Sequence, residues 1–252
     1  TLMQISPPFG FKEVVPLQRT AAVRLPAPGE LPAFARHANA IPISYSELAA
    51  ACREYPIVFT SSDGGKSYAL VVVVGLTRGE NLFVRDGRWE ATSYVPAYLR
   101  RYPFCMSRVR LDDVERQQRL ICVEMSYLDE NGEKLFDAEG KPLERWAPIE
   151  KLLNEYEADL ERTREMCAIL ADYALLEPFA MQANVEGGGQ IALSGMARVD
   201  EKRLESLNAG QMKNLLKKGI LGRIYAHLLS LENFPRMLAR RASVSAETTD
   251  AA

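Results

Sequence analysis

Apolar positions along the chain switch rhythm partway through, and the switch predicts the fold. Between residues 55 and 104 they come in short runs broken by turn residues. This stretch reads YPIVFTSSDGGKSYALVVVVGLTRGENLFVRDGRWEATSYVPAYLRRYPF. Residues 57–60 read as a strand and 61–66 as a turn, since Asp63, Gly64 and Gly65 tolerate positive φ. The β-branched run over 69–76 lacks polar alternation, as expected of a strand buried on both faces. A turn over 77–80 leads to a third strand at 81–85, and Asp86-Gly87 signals a hairpin into Trp89. Consecutive strands with tight turns predict an antiparallel meander with the valine run at its centre.

Beyond residue 148 the period lengthens. Ile149, Leu152, Leu153, Tyr156, Leu160, Cys167 and Leu170 recur at helical spacing, predicting a long helix over 148–176 that Pro178 ends. Residues 187–189 read as a glycine loop and 190–197 as a strand. Asp200 caps a short helix, and Asn208 with Gln211 caps another that closes at Lys217-Lys218-Gly219. A further helix over 220–231 gathers Leu221, Ile224, Tyr225, Leu228 and Leu231 on one face. Earlier, Ser44 and Glu47 have capping-box spacing, and Pro96 opens a short helix. A strand over 118–127 is expected to pair with 134–136 through the turn Asp129-Glu130-Asn131-Gly132.

These elements predict an α+β fold, a mainly antiparallel sheet followed by a helix-rich C-terminal half. Residues 1–40 are rich in proline and form an extended arm packed on the domain, with an edge strand near 11–15. Residues 41–242 form a single domain, and the small polar residues of 243–252 a disordered tail.

Composition adds exclusions. With 252 residues, 47% hydrophobic and 25% charged, the chain can bury a sizeable core. A formal net charge of -2 provides no basic field for nucleic acid. The longest apolar run, over 68–76, is far short of the roughly 20 residues that span a bilayer. The first residues lack the basic-then-apolar order of a secretory signal, so a soluble cytoplasmic protein is expected. Cys52, Cys105, Cys122 and Cys167 are scattered, and His37 and His227 are the two histidines, so no metal or other cofactor is expected.

Candidate chemistry is sparse. Gly65-Lys66-Ser67 ends like a phosphate-binding loop, but Thr60 stands where that loop needs glycine and a strand follows instead of a helix. A turn is the better reading. Asp129, Asn131 and Glu133 match only part of a calcium loop, and a hairpin is expected there. What remains is an aromatic and arginine cluster: Trp89, Tyr94, Tyr98, Arg100, Arg101 and Tyr102. Such residues either stack a ligand or cover a sheet edge with amphipathic side chains. Together with His227 they are the candidate binding surface. An enzymatic reading would draw on Cys105, His227, Asp63 and Glu177, none of which sits in a nucleophile or base motif, so no catalytic residue is assigned.

The segments YPIVFT, VVVVGL, GENLFV followed by DGRW, and VPAYLRRYPF occur in that order. ALLEPF, LSGMARVDEKRLESLN and KKGILGRIYAHLLSLENF follow. Together, over residues 40–238, they resemble the bacterial SapC family, named from surface-layer-associated loci. The resemblance implies a bacterial protein linked to surface-layer or peptide-transport systems and fits an accessory role. Because the residues show no convergent nucleophile, metal set or phosphate loop, a non-enzymatic binding or accessory protein with a protein or peptide partner is expected, with a homo-oligomer possible. The alternatives are an enzyme with an unrecognised site and a surface-layer or envelope-associated component. The family's motifs supply no catalytic residues to carry over.

Overall fold

The computed structural model describes residues 3–111, 114–185 and 189–250. Its strands are β1 (Met3–Ile5), β2 (Val14–Pro16), β3 (Ala22–Val23), β4 (Ala40–Pro42), β5 (Ile57–Thr60), β6 (Ala69–Val73) and β7 (Val84–Arg85). They continue with β8 (Arg88–Trp89), β9 (Phe104–Leu111), β10 (Val114–Glu124), β11 (Glu133–Lys134), β12 (Leu176–Val185) and β13 (Gly189–Val199). The helices are α1 (Leu48–Ala51), α2 (Ala97–Arg100), α3 (Trp146–Asp172), α4 (Glu201–Glu205), α5 (Ala209–Lys217), α6 (Ile220–Ser230) and α7 (Asn233–Asp250). The fold is α+β, as the sequence predicts. Where a single domain was expected over 41–242, contacts divide the chain into two units. One comprises Thr1–Ala35 and Ala97–Ala158, the other Arg36–Pro96 and Asp159–Ala252.

The first unit holds a four-stranded antiparallel sheet in the order β1-β9-β10-β2, and a ribbon of β11 with β3. The proline-rich arm therefore supplies both edge strands. Pro16 lies on the edge strand β2, opposite Cys122, a position where a missing amide is tolerated. The expected pairing of 134–136 with 118–127 does not form, because β10 already has β9 on one side and β2 on the other. Glu133 and Lys134 pair with Val23 and Ala22 instead. The core gathers Val23, Phe104, Val123, Leu135, Trp146 and Leu153, with the rings of Phe104 and Trp146 edge to face at 5.8 Å.

The second unit holds a five-stranded antiparallel sheet in the order β12-β13-β5-β6-β4. The valine run is an interior strand, paired as Ile57↔Val72 on one side and Ile41↔Val72 on the other. The meander stops there, however. The Val74 amide donates to the Asn39 carbonyl at 2.8 Å, and at Gly75 a Cβ would overlap the Glu80 carbonyl. The chain thus loops tightly, and the third run forms only the two-residue ribbon β7-β8. Asp86 (φ 50) and Gly87 (φ 75) carry the paired left-handed conformations that a two-residue hairpin requires.

The long helix ends at Asp172, four residues before the expected limit. Ala174 turns left-handed (φ 51), and Leu176 opens β12, the hairpin partner that β13 needs. Pro178 sits in this edge strand. Of the expected glycine loop, Gly187 and Gly188 lie outside the described residues, while Gly189 already belongs to β13. The caps form as expected. Glu47 takes the Ser44 amide at 2.8 Å, Asp200 the Lys202 amide at 3.0 Å, and Asn208 the Gln211 amide at 2.9 Å. The segment expected as a disordered tail from 243 is helical through Asp250, as part of α7.

Candidate functional site

The aromatic and arginine cluster read from the sequence is divided between the two units. Tyr98, Arg100, Arg101 and Tyr102 belong to the first, where α2 turns into β9. Arg101 is buried, and its guanidinium lies 4.4 Å from the Tyr98 ring centre, 4.6 Å from Tyr156 and 5.7 Å from Phe11. Among the described residues its Nε has no hydrogen-bond partner, and ring faces supply what a carboxylate would. Tyr98 is also buried and donates to the Phe9 carbonyl at 2.5 Å. Burial pushes its phenol up to about 12. Tyr102 is half-buried against Phe11 and Tyr127, and burial raises its phenol as well. Arg100 alone of these four is exposed. This part of the cluster is core rather than a stacking platform.

Cys105 and Cys122 face each other across β9 and β10, fully buried. Burial raises both thiols, Cys122 up to about 12, so neither is a thiolate nucleophile near neutral pH.

His227 belongs to the second unit and has no exposed surface. Its Nε2 accepts the Val199 amide at 3.1 Å, which leaves the proton on Nδ1 to be donated to the Ile57 carbonyl at 2.7 Å. Burial lowers its pKa to about 4. It is a neutral structural cross-link and forms no part of a surface or an acid–base pair. Asp63 and Glu177 are also taken up locally. Asp63 accepts the amides of Lys66 at 3.0 Å and Ser67 at 2.9 Å, and the Ser67 hydroxyl at 2.5 Å. Those bonds, the hydroxyl's foremost, lower its carboxyl to about 2. Asp63 thus fills the glycine turn with its own carboxylate, where a phosphate cradle would keep its amides free. Glu177 pairs with Arg198 opposite it on β13, at 2.8 Å. Among the described residues no group of three or more His, Cys, Asp and Glu side chains could hold a metal ion. Nor is any helix among them long and apolar enough to cross a membrane.

Trp89 and Tyr94 lead to a different place. Trp89 is buried and donates its indole N–H to the Tyr55 hydroxyl at 3.0 Å, which donates to the Tyr94 carbonyl at 2.6 Å. The Tyr94 hydroxyl donates to Glu47 at 2.9 Å, and its amide to Glu54 at 2.8 Å. Phe83 stacks on Trp89 (6.1 Å, 16°), and the Arg240 guanidinium lies over the Phe83 ring, 4.3 Å from its centre. Here a cavity of about 190 Å³ opens, lined by Arg53, Glu54, Phe83, Ser93, Arg236, Met237 and Arg240. Arg240 is neutralised by a two-pronged pair with Glu90, both bonds 2.9 Å. Arg53 and Arg236 are exposed, and among the described residues the contacts of Arg236 are long, 3.4 Å to Asn233 and 3.5 Å to the Arg53 carbonyl. Among the described lining residues Glu54 is the one carboxylate, so positive charge prevails there.

Sequence reading reached Trp89 and Tyr94 but missed this arginine-lined cavity beside them. Arg236 and Arg240 stand four apart on α7, so their shared face was available as a signal. Their meeting with Phe83 and Glu90 comes from tertiary packing across 150 residues, which no local pattern encodes.

A family model described as SapC matches residues 23–237. No curated protein and no solved structure matches the chain.

Proposed function

This chain belongs to the SapC family, and we propose that it works as a non-enzymatic binding protein whose ligand is an acidic segment of a protein or peptide partner. The observation that carries this reading is the cavity between α7 and Phe83, where Arg53 and Arg236 have no carboxylate partner among the described residues. Arginine presents a planar fork of donors that matches a carboxylate with two parallel bonds. Phe83 and Met237 give the pocket an apolar floor, against which the stem of a Glu or Asp side chain would pack. At about 190 Å³ the space suits one side chain better than a cofactor. The accessory role implied by the family points the same way, as does the absorption of Cys105, Asp63, Glu177 and His227 into local structure.

The test is fluorescence anisotropy with a labelled hexaglutamate peptide against the full chain. Binding should weaken as salt is raised. The double substitution Arg53→Glu, Arg236→Glu should reduce affinity by about tenfold or more, equivalent to roughly 1.4 kcal/mol. A labelled hexalysine peptide should not bind. Equal binding of both peptides, or an unaffected double variant, rules the reading out.

A further inference from the structure

In the second unit the described residues leave three large apolar side chains in solvent, all on α5 and α6. Leu216 is 67% exposed, Tyr225 49% and Leu229 70%. Tyr225 and Leu229 stand four apart and so share one face of α6. Gly222 lies three residues earlier on that face, and a Cβ there would meet nothing within 4 Å. Ala226 sits beside Tyr225. The charges of α6 are turned elsewhere: the Arg223 guanidinium is laid over the Tyr45 ring at 4.4 Å, and His227 is buried. The outward face of α6 therefore carries no charge.

We infer that this face pairs with the same face of a second copy of the chain, as two antiparallel α6 helices about a two-fold axis. The pattern is self-complementary. With the axis between positions 225 and 226, Tyr225 of one copy meets Ala226 of the other, and Leu229 meets Gly222. Each large side chain then enters the space above a small one, so the helices can approach closely. The ends are complementary as well. Lys217 precedes α6 and Glu232 follows it, both exposed, while Lys218 is already paired with Glu165. The antiparallel arrangement brings the cationic start of one helix to the anionic end of the other and opposes their dipoles favourably. A parallel pair would set Leu229 against Leu229 and Lys217 against Lys217. An isologous contact of this kind closes as a dimer and does not extend into fibres. One helix of 11 residues offers less than the roughly 800 Å² per partner of a standard interface, so the dimer is concentration-dependent. This contact is independent of the arginine-lined cavity.

Sedimentation equilibrium of the full chain from low micromolar to near-millimolar concentration tests the pairing. Wild type should show a monomer–dimer equilibrium. Gly222→Leu fills the hollow that receives Leu229 and should weaken association by about tenfold, roughly 1.4 kcal/mol. It should not impair folding, because the position opens to solvent and leucine favours a helix more than glycine. Leu229→Ala should weaken association too. The double variant Gly222→Leu, Leu229→Ala exchanges large for small on both sides and should recover most of the wild-type affinity. A chain that stays monomeric throughout overturns the inference, whether or not another partner covers the face. So does a dimer that ignores both single substitutions, or a double variant that is no tighter than the singles.

Discussion

Val199 and Ile57 face each other on β13 and β5 but do not hydrogen-bond, because His227 stands between them. The register Met196↔Thr60 and Ala197↔Phe59, continued by two residues, sets Val199 against Ile57. Instead of closing the ladder, the imidazole takes the Val199 amide and gives its proton to the Ile57 carbonyl. Ser230, one turn further along α6, accepts the Ile57 amide at 2.9 Å and donates to the His227 carbonyl at 2.5 Å. Both polar groups that Ile57 turns toward β13 are thus satisfied from the helix. His227→Leu should leave two buried backbone groups unpaired, at about 1–3 kcal/mol each. Urea unfolding of the variant measures the loss, and a cost under about 1 kcal/mol would contradict the cross-link.

The same histidine makes stability depend on pH. Its ordinary value of 6.5 falls to about 4 in the fold, chiefly through burial, with Arg198 adding a smaller push in the same direction. Between those values the unfolded chain takes up the proton and the folded chain does not. Stability is therefore constant above about 6.5 and falls as pH drops toward 4, by about 3 kcal/mol in all. His227→Gln keeps an acceptor and a donor but does not titrate. Its unfolding free energy should be flat across this window, and an unchanged slope would place the acid sensitivity elsewhere.

Local signals were legible where one residue type has one physical use. Asp200, Asn208 and Ser44 with Glu47 read correctly as caps, and Asp86-Gly87 as a hairpin. The valine run read correctly as an interior strand. The left-handed turn at Ala174 was not legible, since alanine favours the helix it terminates. Nor was the pairing of β11 with β3, which depends on β10 being occupied on both sides. The aromatic and arginine cluster misled for a related reason. Periodicity reports which face of an element is apolar, but an arginine among tyrosines is compatible with both a surface and a desolvated interior. Packing around Arg101 decided for the interior.

That burial gives Arg101 a distinctive mutational signature. Its guanidinium is held by the faces of Tyr98 and Tyr156, and its Nε is unpaired. Removing both the charge and its desolvation with Arg101→Met keeps most of the packing volume. The lost ring contact, about 2 kcal/mol, is then largely offset, and the net change should stay below about 1.5 kcal/mol. Arg101→Ala leaves a cavity as well and should cost about 2–4 kcal/mol. Equal losses in thermal or urea unfolding would refute this account of the site. Neither variant should alter hexaglutamate binding, since the arginine-lined cavity is in the other unit.

The glycine turn makes a prediction about phosphate. The amides of Lys66 and Ser67 that could point at an anion already bond to Asp63, and the Gly65 amide donates to the Ser61 hydroxyl at 2.8 Å. The native chain should therefore not retain ATP in equilibrium dialysis, with or without Mg²⁺. Retention that disappears in Lys66→Ala would show that the turn opens to receive phosphate. Hydrogen exchange offers an independent check: Asp63→Ala should speed exchange of the Lys66 and Ser67 amides and leave the β5-β6 ladder protected.

Arg240 and Glu90 supply a second, lower window of acid sensitivity. Arg240 holds the Glu90 carboxyl below its ordinary 4.5, first through its paired hydrogen bonds and then with help from the Ser93 hydroxyl. A carboxyl depressed in this way contributes stability above about 4.5, and the contribution is lost as pH falls below that value. Its side chains are 27% and 29% exposed, so solvent screening limits the pair to about 1 kcal/mol. Arg240→Met should cost about that much at pH 7 and progressively less as pH falls below 4.5 and Glu90 takes up its proton. The cavity would respond differently. With Arg240 gone, Glu90 becomes an unpaired anion beside Arg53 and Arg236, and it competes with an incoming carboxylate. Hexaglutamate affinity should fall in Arg240→Met and return in the double variant Arg240→Met, Glu90→Gln. If the double variant binds no better than the single, Arg240 contacts the ligand itself and does more than restrain Glu90.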